Sequence, residues 1–264
     1  MRRVCALIEA GSTRGRNPLL PPLRAALARN RIELVAWDPT ERLELPPRAP
    51  DAELYLLKGD HPAILTAAGC LADRGVRCLN SFGATEAAAD KGRMLARLAR
   101  AGLPVPSTSV AGDRNALEVA LAAGPRFVKP VRGAHGHGAR RLEPGEAATA
   151  DGSGPWLVQE LVPNPGYDLK LYGVREHVAV RRARFEPGAI DFPREPVERL
   201  DPAVIRLARA AGAAAGLELY GVDVLETPDG PVVVDVNAFP GYRTVSEAPA
   251  WVAAVVLDTI AAAA

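Results

Sequence analysis

Cysteine is scarce in this chain. The 264 residues hold three, Cys5, Cys70 and Cys78, an odd number with no CxxC pair, which excludes a disulfide framework and a structural zinc site and fits reduced thiols in the cytoplasm. Net charge is nearly absent as well: 32 basic residues against 31 acidic ones leave +1. No global field therefore recruits nucleic acid or an anionic membrane surface, and an anionic ligand has to be met by local groups. Long hydrophobic runs are missing. The run from Val4 to Ile8 is cut by Glu9, too early for the apolar part of an export signal after Met1-Arg2-Arg3. The segment from Trp251 to Ala264 carries Asp258 and falls short of the roughly 20 residues that a membrane span needs. The first reads as a core strand and the second as a C-terminal docking helix. Repeats and low-complexity tracts are also lacking, apart from alanine enrichment. What is present is a chain that is 48% hydrophobic and long enough for several cores, so intrinsic disorder is excluded.

Apolar runs and helical periods alternate from the start. A strand at Val4 to Ile8, a helix at Pro21 to Arg29 and a strand at Ile32 to Trp37 are followed, past a Pro-rich loop, by a strand at Glu53 to Leu57, a helix at Ala63 to Arg74 and a short strand at Val76 to Leu79. Such alternation builds a parallel sheet, so residues 1–80 are expected to form an N-terminal α/β domain. One helix is expected across Gly83 to Gly102, stopped by Gly102-Leu-Pro104-Val-Pro106. Residues 81–161 continue as an α+β unit, with strands at Ser107 to Val110, Arg126 to Val131, Ala139 to Leu142 and Trp156 to Val162 and a helix at Asn115 to Ala122. Residues 162–264 carry strands at Leu169 to Val174 and His177 to Arg182, a helix at Ala203 to Ala215, two further strands and the terminal helix.

Leu217 to Leu225 and Pro231 to Asn237 are strand-like runs joined by Thr227-Pro228-Asp229-Gly230, a sequence with Pro and Gly where a hairpin turn uses them. With the turn centred near residue 229, Asp223 faces Asp235, and the period of two puts Asn237 on the same face. Two carboxylates and an amide oxygen then converge, an all-oxygen set that suits magnesium rather than zinc. The alternative is a solvated outer face of the hairpin. Arg126-Phe-Val-Lys129-Pro130-Val-Arg132 runs into Gly133-Ala-His135-Gly136-His137-Gly138. A strand lysine followed by closely spaced glycines meets the needs of a polyphosphate, because backbone N–H groups can approach while an ammonium neutralises charge. It is neither a Walker loop nor a dinucleotide turn, and a plain mobile hairpin is the alternative.

Taken in order, Asn80-Ser81, Asp90-Lys91, Gly102-Leu-Pro-Val-Pro106, Val128-Lys129-Pro130 with its glycine loop, Val158-Gln159-Glu160, Asp168-Leu-Lys-Leu171, Tyr220-Gly-Val-Asp223 and Val234-Asp235-Val-Asn237-Ala-Phe-Pro240-Gly241 resemble the ATP-grasp superfamily across nearly the whole chain. The separation of Asp223 from Asp235 is similar to that of the RimK-like branch. The resemblance implies an α/β and α+β three-domain fold with ATP between the central and C-terminal lobes. It implies that Lys91 and Lys129 hold the phosphates under a lid formed by Gly133, His135, Gly136 and Gly138. It also implies that Gln159, Glu160, Leu161 and Val162 bind adenine, with Asp168 near the ribose. Asp223, Asp235 and Asn237 then hold Mg2+, for which Mn2+ can substitute. Arg182 is placed like a catalytic strand arginine facing the terminal phosphate, alongside Lys129, and Lys170 is placed toward the substrate.

RimK-like ligases activate a carboxylate with ATP and pass the acyl phosphate to an amine. They usually carry Asn with a following Gly-Gly after the Arg182 strand, where this chain reads Ala183-Arg184-Phe-Glu-Pro-Gly188, which puts glutamate as substrate in doubt. ATP-grasp inositol polyphosphate kinases share the Asn237-Ala-Phe-Pro-Gly-Tyr242 segment, a lid histidine and a lysine like Lys58. Arg14, Arg16, Lys58 and His61 lie at the carboxyl ends of the expected N-terminal strands, where open α/β sheets bind ligands, and suit either substrate. So few clustered cations favour a carboxylate over a ligand with several phosphates. The expectation is therefore a cytoplasmic carboxylate–amine ligase, free or homo-oligomeric, with the kinase as alternative. A non-catalytic nucleotide-binding module would lack a lysine or metal ligand, and none is missing.

Overall fold

In the computed structural model, residues 2–9, 18–133, 136–163, 166–184, 194–197 and 201–262 are described. The first unit alternates as expected: β1 (Arg2–Leu7), α1 (Leu20–Ala28), β2 (Ile32–Trp37), β3 (Leu54–Leu57), α2 (Pro62–Asp73) and β4 (Cys78–Leu79). All its strands pair in parallel, in the order β2-β1-β3-β4. The helical stretch that follows is two helices rather than one, α3 (Phe82–Ala88) and α4 (Lys91–Arg100). The break has a local cause: Asp90 takes an extended conformation and its carboxylate accepts from the Arg93 N–H, capping α4. Lys91 thereby stands at the first position of a helix.

A second, four-stranded sheet is built from β5 (Thr108–Ala111), β6 (Arg126–Pro130), β7 (Arg140–Leu142) and β8 (Trp156–Gln159), with α5 (Arg114–Leu121) against it and the order β5-β8-β6-β7. The third sheet has five strands, β9 (Asp168–Val174), β10 (His177–Ala183), β11 (Glu195–Pro196), β12 (Leu219–Thr227) and β13 (Gly230–Ala238), in the order β11-β10-β9-β12-β13, antiparallel throughout. Helix α6 (Pro202–Ala215) lies between β11 and β12 in the chain, and α7 (Ala248–Ala261) ends it.

The two faces of the third sheet have different duties, and the period of two assigns them. Leu169, Leu171, Val222, Val224 and Val236 pack on α6 in one core, which Met94, Leu95 and Leu98 of α4 also enter. On the other face Tyr172, Val174, Leu219 and Phe239 join the core of the first sheet, together with Val252, Val255 and Val256 of α7. The terminal helix thus docks on α1 and the N-terminal strands. Among the described residues no helix is long and apolar enough to cross a membrane, and the three cysteines are free.

One contact ties the first sheet to the third, and a second ties the third sheet to α6. Asn80 is 1% exposed; its Oδ1 accepts from the Glu218 and Leu219 N–H groups at 2.8 and 2.9 Å, and its Nδ2 donates to the Leu219 carbonyl at 2.7 Å. Tyr220 lies between two glycines: a Cβ on Gly173 would stand 2.0 Å from its ring and one on Gly212 2.6 Å. Its hydroxyl donates to the Arg175 carbonyl at 2.8 Å.

Candidate functional site

A cleft of about 650 Å³ opens between the second and third sheets and continues to the first. Lys58, Lys91, Lys129, Gly133, Gly136, Gln159, Glu160, Leu161, Val162, Asp168, Lys170, Asp223, Asp235 and Asn237 all line it. Most of the residues singled out from the sequence are therefore gathered in one place, although they come from eight separate segments of the chain.

Lys129 reaches the cleft from β6. It is 7% exposed, and its ammonium donates to the Val234 carbonyl at 2.9 Å. That carbonyl has a specific origin. Near the turn Thr227 pairs with Gly230 and Val224 with Val233, whereas Asp223 pairs with Asp235, so Val234 is the extra residue of a β-bulge. A bulge leaves one residue out of the ladder, and here its oxygen serves the lysine. Burial holds the Lys129 ammonium below the ordinary lysine value, with Asp235 pulling against that shift. Lys91 is anchored by its backbone N–H to the Val131 carbonyl at 3.1 Å, and its ammonium donates to the Gly133 carbonyl. Gly133, Gly136 and Gly138 have φ of 138°, 68° and 69°, a backbone that side chains with a Cβ disfavour. Gly138 does not line the cleft; it packs on Pro130, where a Cβ would stand 3.1 Å from the ring. His135 lies outside the described residues, as do Arg14 and Arg16.

Gln159 ends β8, so the strand is shorter than expected and Glu160, Leu161 and Val162 continue as irregular chain. The Gln159 side chain is buried and donates to Thr108 Oγ1 at 3.1 Å, while the Glu160 N–H donates to the Ser107 carbonyl at 3.0 Å. Opposite this wall, the register brings Lys170, Asp223 and Asp235 into one row across β9, β12 and β13, with Asn237 two residues along on the same face. Gly221, across from Asn237, leaves room there: a Cβ would come within 3.2 Å of Pro240. Burial pushes the Asp223 carboxyl up to about 6; Lys170 opposes the shift, and Asp168 and Asp235 add to it. Burial works against the Lys170 ammonium, but Asp223 and Asp168 outweigh it and hold its pKa above the ordinary value.

Some expected residues stand elsewhere. Arg182 pairs with Leu169 of β9, so it lies on the α6 face of the sheet and not on the face of Lys170. Its guanidinium stacks 4.3 Å from the Tyr167 ring centre, and it does not line the cleft. His61 also does not line the cleft; it is the N-cap of α2, its Nδ1 accepting from the Ala63 N–H at 3.2 Å. Lys170 and Asp168, expected beside the substrate and the ribose, do line the cleft, where they are also paired with each other at 2.7 Å. Residues not anticipated are Arg184, Arg194 and Arg243, with Glu9 and Asp60, which also line the cleft. Local pattern carries no mark of them, since each is a single charge on an irregular segment.

No family model matches the chain. It is 30% identical over 207 residues to the Hahella chejuensis protein "Probable alpha-L-glutamate ligase 2", covering 70% of this chain and 68% of that one. The chain spans about two thirds of the length of the curated relatives it matches. A RimK domain ATP-grasp protein from Sphaerobacter thermophilus superposes with a TM-score of 0.77 at 26% identity, over 97% of this chain and 98% of that chain. The D-alanine–D-alanine ligase of Bacillus anthracis, solved with ATP, shares the fold at a TM-score of 0.72 and 18% identity, over 98% of this chain and 96% of that chain.

Proposed function

The chain belongs to the RimK-like ATP-grasp ligases, and from that membership we propose that it seats ATP in the cleft and joins a carboxylate to an amine with release of ADP. One observation carries the reading: Lys91, Lys129, the Gln159 to Val162 segment and the Asp223, Asp235 and Asn237 oxygens converge on a single cleft. Adenine lies along Glu160, Leu161 and Val162, which follow the end of β8. Lys91 and Lys129 neutralise the phosphates from two sides, and the glycine loop from Gly133 brings backbone N–H groups over them.

Two carboxylates and an amide fit magnesium, with manganese as a substitute. Support comes from the register that sets Asp223 directly opposite Asp235; burial raises the Asp223 carboxyl despite Lys170, and Asp168 and Asp235 add to the shift, a crowding of carboxylates that a cation would relieve. Among the described residues no group of three His, Cys, Asp or Glu side chains could hold a metal ion; Asp223, Asp235 and Asn237 would hold it together with oxygens of the nucleotide phosphates. A divalent ion there offsets charge on the transferring phosphoryl group.

Lys58, Arg184, Arg194 and Arg243, together with Glu9 and Asp60, line the same cleft. This mixture suits a carboxylate and an amine side by side better than a polyphosphate. A carboxylate oxygen of the donor attacks the γ-phosphorus and ADP departs. The amine nitrogen then attacks the acyl carbon, phosphate departs and the nitrogen gives up a proton. The chain's share is positioning and charge: it holds two substrates and the nucleotide in reach of one another and excludes water. The relatives named above are ligases, which weighs against the kinase alternative.

The test is ADP formation with amino acids and small peptides offered as donor and acceptor, and with inositol phosphates as a separate arm. Asp235→Asn keeps the side chain's shape but removes a charge, and should lower ADP formation by at least about 100-fold with an unchanged fold. Normal turnover in that variant would remove the hairpin from the reaction, and turnover with inositol phosphates alone would replace the ligase by a kinase.

A further inference from the structure

Among the described residues Lys170 is the cation that the strand register places in the proposed metal row. Its Nζ lies 2.7 Å from Oδ2 of Asp168 and 2.7 Å from Oδ2 of Asp223. These contacts follow from the sheet: Asp168 is two residues back on the same strand face, and Asp223 is the directly paired residue on β12. Asp223 is in turn directly paired with Asp235. The central carboxylate of the row therefore has an ammonium on one side and the partner carboxylate for the metal on the other. Asp168 gives Oδ2 to the lysine while its Oδ1 is buried without a hydrogen bond in the structure, so holding Lys170 is what its geometry accomplishes.

Resting on the reading of Asp223, Asp235 and Asn237 as metal ligands, we propose that Lys170 is a positioning residue that lowers the intrinsic metal affinity of this site. Its ammonium keeps Oδ2 of Asp223 turned toward Asp168, which leaves the other Asp223 oxygen for the ion. It also repels a second cation arriving beside it. A divalent ion is then held firmly only when nucleotide phosphates add their own negative charge and oxygens. Metal and nucleotide loading become coupled through a side chain that touches neither the transferred phosphorus nor the amine.

The probe is Mn2+, with free ion counted by electron paramagnetic resonance, on the full chain with and without a non-hydrolysable ATP analogue. After subtraction of the Mn2+ held by the analogue alone, wild type should bind Mn2+ at least about tenfold more tightly with the analogue than without it. Lys170→Met, which keeps length and loses charge, should bind analogue-free Mn2+ at least about tenfold more tightly than wild type. An unchanged or weaker Kd in that variant overturns the proposal. If Lys170→Met does not fold, Lys170→Arg decides: with the charge retained, its Kd should stay within about threefold of wild type, and any larger change overturns the proposal. Failure of wild type to bind Mn2+ even with the analogue overturns the metal reading itself, a result distinct from an unaltered Kd in the variant.

Discussion

Replacing Asn80 by Ala perturbs a joint rather than a site. Asn80 follows β4, and its side chain makes three hydrogen bonds to Glu218 and Leu219 at the start of β12. The three are not equal. The Leu219 carbonyl also accepts from the Phe239 N–H at 2.9 Å, so it keeps a partner when the amide is removed. The N–H groups of Glu218 and Leu219 lose theirs. An unsatisfied buried donor costs about 1–3 kcal/mol, which applies in full to the buried Leu219 N–H, while the part-buried Glu218 N–H adds less; the loss is then about 2 kcal/mol or more, a large part of the 5–15 kcal/mol typical of a folded domain. Asn80→Asp retains an acceptor for both N–H groups but sets a second oxygen against the Leu219 carbonyl in a site that is 1% exposed, so it carries a cost of its own. Amide hydrogen exchange reads the effect where it arises: a loss of about 2 kcal/mol speeds exchange at Glu218 and Leu219 about thirtyfold. Thermal melting reads it globally, with a fall in Tm of at least about 4 °C. Unchanged exchange at these two amides in Asn80→Ala would refute the reasoning.

The Gly173 contact predicts strong coupling, because a Cβ there would overlap the Tyr220 ring at 2.0 Å. Gly173→Ala should destabilise by about 3 kcal/mol or more, and by less than about 1 kcal/mol when made in Tyr220→Ala; additive losses in denaturant melts would show that the ring and the glycine do not meet. Burial pushes the Cys5 thiol up to about 12. Its alkylation by iodoacetamide at pH 8 should be on the order of a thousandfold slower than that of free cysteine, rising with pH as thiolate forms. Mass spectrometry of timed digests checks this, and early labelling of Cys5 in the native protein would contradict it.

How much of this was legible in advance depended on whether partners are local in the chain. The turn Thr227-Pro228-Asp229-Gly230 and the alternation around it were enough to bring Asp223 opposite Asp235, as observed. Yet strict counting outward from the Thr227–Gly230 pair would set Asp223 against Val234; the bulge at Val234 restores the acidic pair and also frees the carbonyl that Lys129 uses. No residue type announces that bulge. His61 before Pro62 and Asp90 before Lys91 are cap sequences, but a lone histidine near a strand end suggested a ligand, and helical periodicity on both sides concealed the break at Asp90. Arg182 illustrates the harder case. In a strand one residue decides the face, and only the pairing of β10 with β9 shows that Arg182 shares a face with Leu169 and Arg181 with Lys170. The partners of Lys170 are equally out of reach of local pattern, since β9 sits beside β12 across about fifty intervening residues. Residue order, which a family resemblance preserves, was sufficient to collect the members of the cleft. Which charges neutralise each other within it is a property of strand order and parity, and these are settled by the packing of two cores on opposite faces of one sheet. The apolar residues of β9 and β12 thus determine that Lys170 meets Asp223: moving either strand by one residue would bury the charges against α6 and turn Leu169 and Leu171 into the cleft.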